Sequence, residues 1–168
     1  EGPEDYHKRI NDKKLKIDEN SILIIRGCGP VGYPGSAEVV NMQPPDRLLK
    51  KGITHLPTLG DGRQSGTSES PSILHVSPES AVGGDLGIVK TGDKMKIDLN
   101  KRRVDLLISQ LEFKKRRKNK KLFKANNQTP WQEIFRDTVG QLEDGACINS
   151  RGNYLDISNK KGLPRNSH

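Results

Sequence analysis

Ser21-Ile22-Leu23-Ile24-Ile25-Arg26 runs directly into Gly27-Cys28-Gly29-Pro30-Val31-Gly32-Tyr33-Pro34-Gly35. The unbroken apolar run reads as a buried strand. The glycine- and proline-rich stretch reads as a loop leaving the end of that strand. Gly27 to Gly32 also matches G-x-G-x-x-G, the fingerprint of a dinucleotide-binding turn. Three features weigh against that match. Pro34 falls where the first turns of the expected helix should lie. The acid about 20 residues on should end a second strand, but Asp46 follows Pro44-Pro45 and precedes a helical pattern. Two prolines and a further glycine make the loop longer than a tight strand-to-helix turn. A glycine-rich bend without a ligand, and a loop for substrate or metal, both remain open.

Working outward, Ser36 is a plausible N-cap for a short helix through Met42, and Pro45 suits the first position of a second helix through Lys51. Ile53 to Leu59 reads as a strand leading into the loop Gly60–Ser70, and Ser72 to Val76 as another strand. Ser77-Pro78-Glu79 reads as the opening of a short helix. Leu86–Lys90, Lys94–Leu99 and Val104–Ile108 read as a β-meander, since Met95, Ile97 and Leu99 alternate with Lys94, Lys96 and Asp98. Gln110–Lys121 reads as helical. Thr129-Pro130-Trp131-Gln132 has the form of a capping box, opening a helix whose apolar face is Trp131, Ile134, Phe135, Val139 and Leu142. The expected fold is therefore mixed α/β: a small barrel or mixed sheet with flanking helices. Residues 1–20 read as a linker, 21–148 as the folded domain and 149–168 as a polar tail.

Hydrophobic residues make up 31% of the 168, and aromatics 4%. Both are low for a globular enzyme, but the apolar residues cluster in short runs, so one core can form. No apolar stretch approaches the roughly 20 residues of a membrane span. Glu1-Gly2-Pro3-Glu4-Asp5 lacks the form of a secretory leader. The absence of a starting Met marks the chain as processed or as a piece of something longer. Cys28 and Cys147 form no metal-binding pattern and no disulfide framework, which favours a reducing compartment, cytoplasmic or mitochondrial. The net charge is +8, much of it in Lys114-Lys115-Arg116-Arg117-Lys118-Asn119-Lys120-Lys121. That run suits either a nucleic-acid patch or a solvated helix. The lack of interleaved aromatics favours the solvated helix.

The loop after the second strand, Gly60-Asp61-Gly62-Arg63-Gln64-Ser65-Gly66-Thr67-Ser68, carries the most chemistry. Its glycines let backbone amides approach a ligand. Arg63 offers a bidentate anion donor, and Asp61 could orient it or cap the loop. Ser65, Thr67, Ser68 and Ser70 add hydroxyls. The set suits a carboxylate-bearing or polyhydroxylated ligand, and equally a polar surface loop. Glu38, the one acid near the first loop, is either solvent-facing or a ligand for a hard cation.

Three blocks carry a resemblance: Arg26 to Val39, Leu56 to Ser68, and Ser77-Pro78-Glu79-Ser80-Ala81-Val82-Gly83-Gly84. Together they resemble the family of dihydroxy-acid and 6-phosphogluconate dehydratases, most closely its pentonate branch of arabinonate and xylonate dehydratases. The resemblance implies a hydro-lyase that converts a 2,3-dihydroxy sugar acid into a 2-keto-3-deoxy acid. It implies two domains: an N-terminal one holding a [2Fe–2S] cluster and most Mg²⁺ ligands, and a swivelling-type C-terminal β-barrel with flanking helices, which this chain matches. Carried over by residue, Ser65 is the base on the C2 proton and Glu38 a Mg²⁺ ligand. Thr67, with neighbouring Gly66 and Ser68, holds substrate, and Arg63 binds it or structures the loop. The implied partners are a small sugar acid, the N-terminal domain and, at full length, further copies in a homo-oligomer. The chain alone is expected to be inactive and free of the cluster. Two positions depart from the pentonate pattern: Glu69 replaces an expected glycine and His75 an expected asparagine. The rival reading is a stand-alone barrel module that binds an anionic ligand or nucleic acid through Lys114–Lys121.

Overall fold

The computed structural model describes residues 1–35, 42–63, 71–122 and 129–148. The apolar run condenses into β1 (Leu23–Ile25), with Leu23 and Ile25 buried. β2 (Thr58–Gly60) is buried throughout and pairs with it in parallel, Leu23 opposite Thr58 and Ile25 opposite Gly60. The short β3 (Ser72–Ile73) pairs with β2, also in parallel. Strands covered on both faces read as continuous apolar runs; β1 has that composition, with Ile24 half-buried on its second face. Parallel pairing has a direct consequence for the two loops: both leave the carboxyl ends of adjacent strands, at one edge of the sheet.

Residues 1–20 fold onto this sheet. α1 (Gly2–Arg9) begins with the Gly2 N–H on the carbonyl of Arg26, at 3.0 Å. The Tyr6 hydroxyl donates to the carbonyl of Gln43 at 2.7 Å, and burial pushes that phenol up to about 12. Tyr6, Ile10, Ile17 and Ile53 pack against a cluster of Leu23, Ile25, Cys28, Met42, Leu48 and Leu56. α2 (Asp46–Leu49) follows Pro45 and is capped from a distance, the Asp46 N–H donating to Asn11 Oδ1 at 2.9 Å.

The expected meander is a two-stranded hairpin. β4 (Met95–Asp98) and β5 (Arg103–Leu106) pair antiparallel. The third expected strand, around Leu86–Lys90, is instead a 3₁₀ turn over Asp85–Ile88. Arg26 explains this difference: its Nη1 donates to the carbonyls of Gly87 and Val89, both at 2.8 Å, taking acceptors that a strand ladder would need. The helix expected at Ser77-Pro78 is a later 3₁₀ turn, Ser80–Val82, preceded by a cis Ser77–Pro78 peptide. The mixed α/β reading holds, but among the described residues the two sheets are small and close no barrel.

α3 (Gln110–Lys118) is capped by Ser109. Its basic run is not simply solvated. Arg116 forks onto Asp93 at 2.5 and 3.0 Å, bonds Glu112 at 2.7 Å and reaches the carbonyl of Ile88 at 3.2 Å. Arg117 pairs with Asp85 at 3.3 Å, and Lys120 donates to the carbonyl of Gly83. The Arg116 hydrogen bonds hold both the Asp93 and Glu112 carboxyls below the usual carboxylate range.

α4 (Pro130–Thr138) has the full capping box between Thr129 and Gln132. Its inward face differs from expectation. Trp131 is 79% exposed and Ile134 is 55% exposed, while Phe135 and Val139 pack against Val31 and Ala81. Two polar side chains share that inward face because the first loop offers them acceptors. Gln132 Nε2 donates to the carbonyl of Pro34 at 3.1 Å, and Arg136 Nε to that of Val31 at 3.0 Å.

Candidate active site

Glu38, Ser65, Gly66, Thr67 and Ser68 lie outside the described residues. Of the candidate side chains only Arg63 is described; it is exposed. What the structure does describe is the root of each loop, and there two buried carboxylates organise everything.

The first is Asp61, with no exposed surface. Its Oδ1 accepts from the N–H of Cys28 at 3.0 Å. Its Oδ2 accepts from the N–H of Gly27 at 3.0 Å, the N–H of Ser80 at 2.9 Å and the hydroxyl of Ser80 at 2.6 Å. The Ser80 oxygen in turn accepts from the N–H of Gly27 at 2.8 Å. Asp61 thus turns back to the first loop, and no ion pair joins it to Arg63 among the described residues.

The second is Glu79, also without exposed surface. Its Oε2 accepts from the N–H of Gly32 at 2.8 Å, and its Oε1 from the N–H of Val31 at 2.9 Å and from Gln141 Nε2 at 2.9 Å. Gln141 completes the exchange by accepting from the Glu79 N–H at 3.1 Å. The carboxylate sits where side chains on the loop would be. A Cβ at Gly29 would stand 2.4 Å from Glu79 Oε2, and one at Gly32 would stand 2.8 Å from the carbonyl oxygen of Gly27.

These bonds settle the fingerprint match physically. In a dinucleotide site the free N–H groups of such a turn face a phosphate. Here the amides of Gly27, Cys28, Val31 and Gly32 are filled by the protein's own carboxylates. The glycines are needed for close approach, but by Glu79 and by the loop's own backbone rather than by a cofactor.

The same saturation decides what these acids can hold. A Mg²⁺ ion takes carboxylate oxygens as ligands, and the oxygens of Asp61 and Glu79 are already engaged by N–H and O–H donors. Glu38, three residues beyond Gly35, has the right donor chemistry. Cys28 does not suit an iron–sulfur cluster: it is buried, and desolvation, reinforced by the Asp61 charge, pushes its thiol up to about 12. Among the described residues no group of three or more His, Cys, Asp or Glu side chains could hold a metal. Two cavities of about 540 and 510 Å³ open elsewhere, one against α3 and one between the sheet and the hairpin. Neither is lined by Asp61, Arg63 or Glu79.

Comparison with known proteins identifies the family. The description "Dihydroxy-acid/6-phosphogluconate dehydratase C-terminal" fits residues 1–146. The chain belongs to that family. It is 55% identical over its whole length to the D-xylonate dehydratase of Caulobacter vibrioides, covering 28% of that protein. It is 50% identical over 67% of its length to the L-arabinonate dehydratase of Rhizobium leguminosarum bv. trifolii, covering 20% of it. It is 39% identical over 86% of its length to the dihydroxy-acid dehydratase of Thermodesulfovibrio yellowstonii, covering 26% of it. The chain therefore spans about a quarter of the length of these relatives, as one domain of a larger enzyme does.

Within this dehydratase domain, sequence reasoning missed Glu79, Ser80 and Gln141. The signal is present in Glu79-Ser80 standing before Ala81-Val82-Gly83-Gly84, polar residues in a stretch of small ones, but Ser77-Pro78-Glu79 equally has the form of a helix start. His75 also gains a meaning. It adopts a left-handed φ of 56°, a conformation in which asparagine is enriched, and here a histidine occupies it.

Proposed function

We propose that this chain is the C-terminal domain of a sugar-acid dehydratase that acts on a five-carbon 2,3-dihydroxy acid such as xylonate or arabinonate. The observation that carries the reading is the junction at Asp61. It binds the root of the Glu38 loop to the root of the Ser65 loop at the carboxyl edge of a parallel sheet. The product is a 2-keto-3-deoxy acid. Ser65 Oγ, as an alkoxide, takes the C2 proton, and the C3–O bond breaks. The departing hydroxide leaves as water by taking up one proton in place of the one held by Ser65, whose later loss restores the alkoxide. The enol left behind ketonises. Arg63, Gly66, Thr67 and Ser68 hold the substrate's carboxylate and hydroxyls. Glu38 is one ligand of a Mg²⁺ ion. When bound, that ion and a [2Fe–2S] cluster on the N-terminal domain would supply the charge stabilisation that a serine base needs. The full-length enzyme is cytoplasmic and homo-oligomeric in this reading, and the isolated chain is inactive.

The test is a keto-acid assay on the full-length enzyme with D-xylonate and L-arabinonate. Ser65→Ala should abolish turnover with iron content and circular dichroism unchanged. Near-normal turnover would remove Ser65 as the base. Stoichiometric iron or clear turnover in the 168-residue chain would refute the split-site reading.

A further inference from the structure

We propose that Asp61, acting with Ser80, is a positioning residue that sets the spacing between the loop of Glu38 and the loop of Ser65. The proposal rests on the dehydratase reading above. Asp61 stands directly after β2 and four residues before Ser65, whereas its partners Gly27 and Cys28 stand two and three residues beyond the end of β1. Its two oxygens take backbone N–H groups from that neighbouring root and from Ser80, at 2.9–3.0 Å. One carboxylate therefore joins three segments at the carboxyl edge of the parallel sheet.

Ser80 makes the junction stiffer. Its hydroxyl donates to Asp61 at 2.6 Å and accepts from Gly27 at 2.8 Å, closing a small ring of bonds around the Gly27 amide. Glu79, the adjacent residue, grips the far side of the same loop through Val31 and Gly32. The first loop is thus fixed at both ends before it departs toward Glu38. Asp61 has no exposed surface, and none of its hydrogen bonds or ion pairs among the described residues is to a Lys or Arg side chain. Its partners are loop amides and one hydroxyl, so the consequence of moving it is a change in loop position.

Asp61→Glu inserts one methylene, about 1.5 Å of extra reach. A misplacement of about 1 Å in reacting groups costs on the order of 100-fold in rate. Ser80→Ala is the gentler variant, since the Gly27 amide keeps its bond to Asp61. Both are made in the full-length, cluster-loaded enzyme and assayed for kcat, KM and the Mg²⁺ concentration giving half-maximal rate, with melting temperature measured alongside. We expect kcat to fall about 100-fold in Asp61→Glu and about 10-fold in Ser80→Ala, with a raised Mg²⁺ requirement in both, assayed well below their melting temperatures. A purely structural role would lower the melting temperature and leave kcat and the Mg²⁺ requirement alone. If Asp61→Glu fails to fold, Ser80→Ala decides. Loss in either folded variant supports the proposal. Values within about threefold of the parent in every folded variant overturn it. Ser65→Ala and Glu38→Gln run in parallel separate the two failures. If these lose turnover while the Asp61 and Ser80 variants do not, only the positioning role falls. If they retain turnover, the underlying reading falls and takes the positioning role with it.

Discussion

Glu79→Gln keeps the size of a side chain with no exposed surface and removes one acceptor oxygen. The carboxylate takes Val31 N–H and Gln141 Nε2 on one oxygen and Gly32 N–H on the other. A glutamine oxygen can serve the first pair, but its amide nitrogen then faces the Gly32 N–H, donor against donor. A buried donor left without an acceptor costs about 1–3 kcal/mol. The two remaining bonds pass from charged to neutral acceptors and lose roughly half their strength. The neutral amide is easier to bury than a carboxylate, which offsets part of this. The net expectation is a loss of about 2–3 kcal/mol, or about 4–12 °C in melting temperature for a domain of this size. Urea unfolding of the 168-residue chain followed by far-UV circular dichroism measures it. The lone tryptophan, Trp131, is 79% exposed and would report poorly. The midpoint should fall with the slope unchanged. The partner substitution Gly29→Ala approaches the same contact from the other side, placing a Cβ 2.4 Å from Glu79 Oε2 and 2.6 Å from its Cδ. Overpacking costs about 1–3 kcal/mol. In a Glu79→Ala background those two contacts vanish while the 2.7 Å approach to the Cβ of residue 79 remains, so the glycine substitution should cost less than it does alone but still be destabilising. A Glu79→Gln loss below about 0.5 kcal/mol, within the ordinary scatter of surface changes, would refute the view that this carboxylate holds the loop.

The ion pair of Arg116 with Asp93 gives a pH dependence of definite sign. The Asp93 carboxyl is held below its ordinary value, so its contribution is fully present above the unfolded value of about 3.9 and is lost as pH falls through the folded value. Thermal melts from pH 5 downward should show this loss, and Asp93→Asn should flatten the curve; an unchanged curve would show that the pair does not stabilise the fold. The two thiols should separate cleanly, because Cys28 is buried with its thiol pushed up to about 12 while Cys147 is exposed. A disulfide reagent at about pH 8 should titrate one thiol in the native chain and the second only after unfolding; two fast thiols in the native chain would contradict the buried position of Cys28.

The parts of the fold legible in sequence were those set by local pattern. The apolar run at 22–25, the alternation at 94–99 and the capping box at Thr129 each specify an element through neighbouring residues. What escaped was set by partners far along the chain. Leu86–Lys90 has strand composition, but Arg26, some 60 residues earlier, draws its carbonyls into a 3₁₀ turn. Trp131 and Ile134 are the obvious apolar residues of α4, yet the helix turns Gln132 and Arg136 inward because loop carbonyls wait there. Local composition could not state either preference. The candidate site divides the same way. Its position at one edge of a sheet followed from two strand-then-loop readings, while its internal bracing by Asp61, Ser80 and Glu79 depended on contacts across 19 to 62 residues.

The fingerprint between Gly27 and Gly32 shows why such bracing matters for function. A glycine-rich turn after a strand presents several N–H groups in one direction, and that geometry requires something negative to meet it. An external phosphate is one answer, and then the turn is itself the binding site. Two carboxylates from elsewhere in the chain are another, and then the turn becomes a rigid support with its own donors satisfied. The second answer changes what the following residues can do. A loop root whose Gly27, Cys28, Val31 and Gly32 amides are held by Asp61 and Glu79 cannot offer those four amides to a ligand, and in the proposed reading recognition passes to the side chains beyond Gly35 and beyond Arg63. Those are the segments that carry Glu38 and Ser65. The first loop reads as a ligand site in sequence, but in the folded domain its amides are taken up by Asp61 and Glu79, and in the proposed reading this is what holds the site's two halves in register.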